Sequence, residues 1–315
     1  MSVLVIRPGL QTTIQARPRV GLRHLGVPAS GPADPLSMAL ANHLVGNPPL
    51  APALEATLTG VDLRFEGDAW FAVSGAPSDA EHNGEVVNFF ETRRAKRGDE
   101  LLIRGASAGA RVYIAVAGGF LADELLGSAS TYLPAAIGGY QGRALQKDDR
   151  LAIASIEDAP VERSTPAEFR PPVTGGWALR ATEGADASLL DPSSRQALFD
   201  TNFIVANRAD RMGLQLDGSQ LVVTSGGRMP SAPVFPGCVQ CPEDGTPFVL
   251  SVDAQTTGGY PRVAQIARAD RHLLGQLRPG AHVRLLRRSA DQAIAELRQK
   301  LDYWRAWLTD IEDVI

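Results

Sequence analysis

Cysteine and lysine are the scarce residues of this chain. Of 315 residues, two are cysteine (Cys238 and Cys241) and three are lysine (Lys96, Lys147 and Lys300). Two cysteines build no disulfide framework. Nor do they make a structural zinc site, which takes four ligands; no second C-x-x-C and no paired-histidine motif accompanies them. In an extended strand a three-residue step would send them to opposite faces. His24, His43, His82, His272 and His282 fall at none of the helical metal-ligand spacings, so no metal site is expected. No apolar run approaches the roughly 20 residues that span a bilayer. The apolar start is broken by Arg7-Pro8-Gly9 before a signal core fits, so the cytoplasm is the expected compartment. The sequence has no G-x-x-x-x-G-K-[ST] phosphate loop, which argues against a conventional P-loop. No lysine sits between methionines, as it would in a biotin carrier. The net charge of −4 and pI near 5.8 give no reason to expect nucleic acid or an acidic membrane surface as a partner.

What the chain has is punctuation. Its 31 glycines and 22 prolines divide short apolar stretches, the pattern of many short strands and turns. Strands are expected at Val3–Ile6, Leu58–Phe65, Trp70–Ser74, Glu85–Phe90, Glu100–Ile103 and Arg111–Val116. A second set is expected at Ala178–Ala181, Asn202–Ala206, Gln220–Thr224, Pro247–Val252 and His282–Leu286. Three similar turns (Lys96-Arg97-Gly98-Asp99, Gln146-Lys147-Asp148-Asp149 and Arg278-Pro279-Gly280-Ala281) each precede alternating apolar residues, a weak internal repeat suggesting two related β lobes. The Pro-, Ser- and Thr-rich stretch 159–176 is the best linker candidate. Helices are few. Asp34-Pro35 is an N-cap followed by proline at the first helical position, with Leu36, Leu40 and Leu44 on one face and Gly46 near the end. Ser193 is a candidate cap for a short helix to Phe199, and 264–274 is a further helix candidate. The residues from Ala290 to Leu308 carry Ile294, Leu297, Leu301, Trp304 and Leu308 at helical spacing.

Two loops carry the chemistry. In Gly26-Val27-Pro28-Ala29-Ser30-Gly31-Pro32-Ala33-Asp34-Pro35-Leu36-Ser37, a Gly/Pro-rich loop enters a helix, whose free N–H groups favour anions. Asp34 and Ser37 stand at that mouth, or act simply as a cap. In Asp253-Ala254-Gln255-Thr256-Thr257-Gly258-Gly259-Tyr260-Pro261-Arg262, polar residues and two glycines follow an apolar strand. Glycines let a ligand approach the backbone, and Gln255 both donates and accepts. Thr256 and Thr257 orient oxygens, and a partly desolvated Asp253 can act as a base. The plain alternative is a Gly-Gly turn. Between the loops, Arg211 can grip a carboxylate or phosphate in bidentate fashion or pair with a nearby acid.

GVPASGPADPLSMALANHLVGN and PGCVQCPEDGTPFVLSVDAQTTGGYPRVAQIARADRHLLGQLRPG, with DRMGLQLDG and AVAGGF, resemble the C-subunit family of 5-oxoprolinase, also described as allophanate hydrolase subunit 2 or biotin-dependent carboxyltransferase-like. The resemblance runs to about Leu286, and QTTGGYP is its most specific element. It implies a mainly β (α+β) fold of two cyclophilin-like β-barrel lobes with a few short helices and a C-terminal helix. The lobes would span 1–160, carrying the SGPAD loop, and 177–288, carrying QTTGGYP, with the amphipathic helix at 289–315. It implies partners, homologues of the A and B subunits of 5-oxoprolinase. With them the chain would open 5-oxoproline to glutamate, using ATP with magnesium shared with a partner. The alternatives are the carboxyltransferase component of a biotin-dependent urea or amide carboxylase, and a non-catalytic regulatory partner of the B-subunit homologue. Carried over residue by residue, the resemblance implies catalytic roles for Asp253, Gln255 and Arg211. It implies substrate contacts for Ser30, Gly31, Asp34, Ser37, Gln240, Thr256, Thr257, Gly258, Gly259 and Tyr260. Three positions depart from the family: Ala33 where Met is common, Ala232 where Glu is common and Ala254 where Arg is common. Two charges are thereby lost from or near the presumed site.

Overall fold

The computed structural model describes residues 1–224 and 229–315. The chain divides into two units: Met1–Arg19 with Ser30–Val173 and Trp304–Val314, and Val20–Ala29 with Thr174–Tyr303 and Ile315.

The first unit holds two antiparallel sheets. One runs Arg150–Ala152, Ser2–Arg7, Asp62–Phe65, Glu100–Ala106, Ser78–His82, Glu85–Val86, and the other Gln11–Gln15, Ala53–Thr57, Arg111–Val116, Ala69–Gly75, Thr92–Ala95. A single apolar cluster draws on both, with Val3, Val5, Leu63 and Ile103 from one and Ile14, Leu54, Phe71 and Ile114 from the other. Arg111–Val116 is buried at every position and lies between two neighbours. Helix α1 (Pro35–Leu44) packs on the strands Ala69–Gly75 and Arg111–Val116. Asp34 caps it and Pro35 occupies its first turn, as the dipeptide requires. The expected single apolar face is too narrow a description. Leu36, Met38, Ala39, Leu40, Ala41 and Leu44 are all buried, because small alanines let the sheet close on more of the helix.

The second unit closes into a seven-stranded barrel: Gly176–Glu183, Arg262–Ile266, Cys238–Gln240, Phe248–Leu250, Gly213–Asp217, Phe203–Ala209 and His282–Arg287. The last strand pairs with the first in parallel, Gly176 opposite His282 through Ala181 opposite Arg287; the other pairs are antiparallel. In His282-Val283-Arg284-Leu285 the alternation is literal, with Val283 and Leu285 buried and His282 and Arg284 exposed. Leu179, Phe203, Leu216, Val239, Val249 and Val263 complete the core. Helix α2 (Pro192–Asp200) is capped by Asp191 rather than Ser193, because Asp-Pro again places the carboxylate on the third helical N–H, that of Ser194. Helix α3 (Ala290–Arg305) follows the expected stripe only weakly. Ile294 is exposed and Trp304 alone is buried. Its grip on the barrel is polar: Lys300 Nζ donates to Ala269 O at 2.7 Å, and Arg288 Nε to Glu296 at 2.8 Å.

The three repeated turns exist, each with a left-handed third residue (Gly98, Asp148, Gly280) and a bond from its fourth N–H to its first carbonyl. The expected strands Leu58–Phe65 and Glu85–Phe90 shorten to Asp62–Phe65 and Glu85–Val86, and two further expectations fail. The stretch 264–274 is the end of a strand followed by a 3-10 helix, Arg268–Gln276. At 220–224 only Val223 forms a bridge, to Leu190.

Candidate functional site

The SGPAD residues lie together in the first unit, at the entry to α1. Ser37 donates to Asp34 twice, from N to Oδ1 at 3.1 Å and from Oγ to Oδ2 at 2.6 Å. The Asp34 N–H donates to the Tyr113 hydroxyl at 2.8 Å, and that hydroxyl donates to Glu55 Oε2 at 2.8 Å. The Ala33 N–H reaches the same oxygen at 2.8 Å, and Arg111 supplies the counter-charge, Nε to Oε1 at 3.4 Å. Every member of this chain of contacts is buried. Burial, then the charges of Glu55 and Asp34, push the Tyr113 phenol well above its usual value of 10.0, so it stays a donor. Upstream, Ser30 is left-handed and its buried Oγ has no hydrogen-bond partner among the described residues. Gly31 sits at φ 93°, where a Cβ would come 2.7 Å from Pro18. Asp34 and Ser37 thus use their polar atoms on the cap. Glu55, Arg111 and Tyr113 complete the network and had no motif to announce them.

The remaining sequence-chosen residues come together in the second unit. The loop from Asp253 to Arg262 is pinned at both ends. At its start Arg211 grips Asp253 in bidentate fashion, Nε to Oδ2 at 2.7 Å and Nη2 to Oδ1 at 3.1 Å, and both residues are buried. The Asp253 N–H donates to Arg211 O at 2.9 Å. At its end Arg262 grips Asp186, Nε to Oδ2 at 2.7 Å and Nη2 to Oδ1 at 3.2 Å, and holds that carboxyl below its usual range. Between the anchors, Thr257 and Gly258 pair with Pro233 and Ala232, and the buried Gln240 amide donates to Tyr260 O at 3.3 Å. Gly258 is required by that approach: a Cβ there would lie 2.6 Å from Gln240 Nε2. What remains outward is polar. Gln255, Thr257 and Tyr260 are exposed, and their side chains make no hydrogen bond among the described residues. Asp253 engages both oxygens, so base action there requires the Arg211 pair to open. Ala254, within the loop, is fully buried.

Cys238 and Cys241 are free, buried thiols, and burial raises them to about 11 and about 12. Among the described residues no three His, Cys, Asp or Glu side chains gather as a metal site. The second unit also has an open groove of about 1000 Å³ between α2 and the strand His282–Arg287. None of the sequence-chosen residues lines it, and Arg287 and Arg195 there share Glu183.

The sequence profile of the carboxyltransferase domain, subdomain A and B, matches residues 25–287. The C subunit of 5-oxoprolinase from Escherichia coli (strain K12) is 36% identical over 305 residues, 96% of this chain and 97% of that protein. Its counterpart of the same name in Haemophilus influenzae is 32% identical, covering 96% of each. Among solved structures, the K. lactis urea amidolyase is similar with a TM-score of 0.90 at 29% identity, across 96% of this chain but 20% of that one.

Proposed function

The chain belongs to the 5-oxoprolinase C-subunit family of carboxyltransferase subdomain A and B proteins, and on that footing we propose that it is one component of an ATP-dependent amidohydrolase that opens 5-oxoproline to glutamate. The observation that carries this reading is the doubly anchored loop. It presents an amide (Gln255), a hydroxyl (Thr257) and a phenol (Tyr260) on a fixed frame, the groups that pair with the N–H and C=O of a small lactam. End-to-end similarity to proteins named as 5-oxoprolinase subunits of the same length supports it further.

Lactam opening adds water to the carbonyl carbon, breaks the ring C–N bond and leaves the proton on the amine. ATP, with magnesium, supplies the driving force, and we assign it to partners homologous to the A and B subunits of 5-oxoprolinase, in the cytoplasm. In this chain Gln255 and Tyr260 orient the lactam, Gln240 holds the loop backbone, and the Arg211–Asp253 pair keeps the frame rigid. The test is ATP hydrolysis by the chain co-purified with its A- and B-subunit homologues, with and without 5-oxoproline. Stimulation with equimolar glutamate release is expected; an intact assembly that 5-oxoproline does not stimulate removes the reading. The likeness to urea amidolyase favours one second reading, carboxyl transfer from carboxybiotin to an amide nitrogen. Avidin would then abolish turnover, whereas lactam opening is indifferent to it.

A further inference from the structure

The loop has a cation beside it that neither its motif nor the family signature singles out. Arg23 sits on a one-turn 3-10 helix, Arg23–Leu25, in the second unit. Its Nη2 donates to two backbone carbonyls, Val234 O at 2.5 Å and Gln255 O at 3.2 Å. The guanidinium lies over the Phe235 ring, 5.4 Å from its centroid. Nη1 is shielded from water and has no hydrogen-bond partner among the described residues. No described carboxylate pairs with Arg23, whereas the two arginines anchoring the loop each hold an aspartate.

An uncompensated guanidinium at the edge of a ligand loop is unstable by itself. Carbonyl oxygens and an aromatic face stabilise it only in part. Desolvation lowers its proton affinity, with no charged partner offsetting the effect. An anion seated at the loop supplies both what Nη1 lacks, an acceptor, and what the whole group lacks, a counter-charge. Arginine's planar fork suits a carboxylate. Arg23 is only part-buried, so the flexible side chain can turn its free N–H toward such a ligand.

We propose that Arg23 is a specificity-determining residue that recognises the carboxylate of a small carboxylated lactam held at the Gln255–Tyr260 loop. The proposal rests on the lactam reading above and adds to it the group that separates one lactam from another.

The experiment is calorimetric titration of the assembled protein with 5-oxoproline and with 2-pyrrolidinone, the same ring without the carboxylate. Wild-type protein is expected to prefer 5-oxoproline by about tenfold or more. In Arg23→Gln, which removes the charge, that preference collapses by at least about tenfold. In Arg23→Lys, which keeps the charge, most of it survives; this variant carries the test should the glutamine variant fail to fold. A preference that persists undiminished in Arg23→Gln, or that is absent from wild type, overturns the proposal and leaves Arg23 a loop clasp. Turnover separates the two claims. Stimulated ATP hydrolysis with no carboxylate preference sinks Arg23 alone, while an Arg23-dependent preference without turnover sinks only the hydrolase reading.

Discussion

Gly258 carries more than a turn. A methyl group there meets the far end of the Gln240 side chain rather than backbone, so Gly258→Ala displaces an amide at small structural cost. We expect stability within about 1 kcal/mol of wild type and kcat/KM for 5-oxoproline reduced at least about tenfold, equivalent to about 1.4 kcal/mol. Thermal melting and steady-state kinetics on one preparation check both halves; full activity would show that the Gln240 amide is idle. At this scale the sequence was informative where residues cluster locally. The concentration of Gln255, Thr257, Gly258 and Tyr260 after an apolar strand was visible from their order alone. The partners that fix them were not. Asp186 is 76 positions from Arg262, and Arg23 is 232 from Gln255, and no local pattern encodes a contact at that range.

Among elements, the loop depends on its anchors. Asp253→Ala leaves the Arg211 guanidinium buried without its carboxylate, a change that costs about 3–5 kcal/mol for such pairs. Arg211→Met with Asp253→Leu removes both charges together and should be less destabilised than either single change, by about 1 kcal/mol or more. Denaturant unfolding of the three variants decides; singles that cost less than the double would show the pair is not a staple. Element reading from sequence succeeded where punctuation is strong, as in the Asp-Pro starts of α1 and α2 and the turns at Gly98, Asp148 and Gly280. It failed where burial runs against composition. Gln11–Gln15 reads as polar, yet Thr12, Thr13 and Gln15 are fully buried; the Thr12 hydroxyl donates to Pro8 O, and the Gln15 amide nitrogen donates to Thr13 Oγ1 and Thr131 O. The strand Arg262–Ile266 was hidden because its Arg and Ala continue smoothly into a helical pattern.

For the molecule as a whole, His272 is one source of acid sensitivity. The Lys300 ammonium donates to its Nε2 at 3.2 Å, so the ring is neutral with its proton on Nδ1. Burial, and then the charges of Lys300 and Arg180, push its pKa well below the usual 6.5. Between its folded and unfolded pKa values the unfolded chain binds the extra proton. This stabilisation is therefore complete above about pH 6.5 and is lost as pH falls below it. Wild type should lose up to about 1.4 kcal/mol more per pH unit than His272→Gln between about pH 6 and pH 5. Parallel unfolding profiles for the two proteins would remove this role.

The parallel pairing of Gly176–Glu183 with His282–Arg287 has a consequence for biosynthesis. The barrel's first strand finds one of its two neighbours about a hundred residues later, in the last strand to be made. Until the ribosome has released His282–Arg287, the nascent unit carries two open edges, Gly176–Glu183 and Phe203–Ala209, each able to template pairing with another chain. A message truncated before that strand therefore yields an unsealed, self-associating sheet, whereas one ending just after it leaves every strand of the barrel paired on both sides.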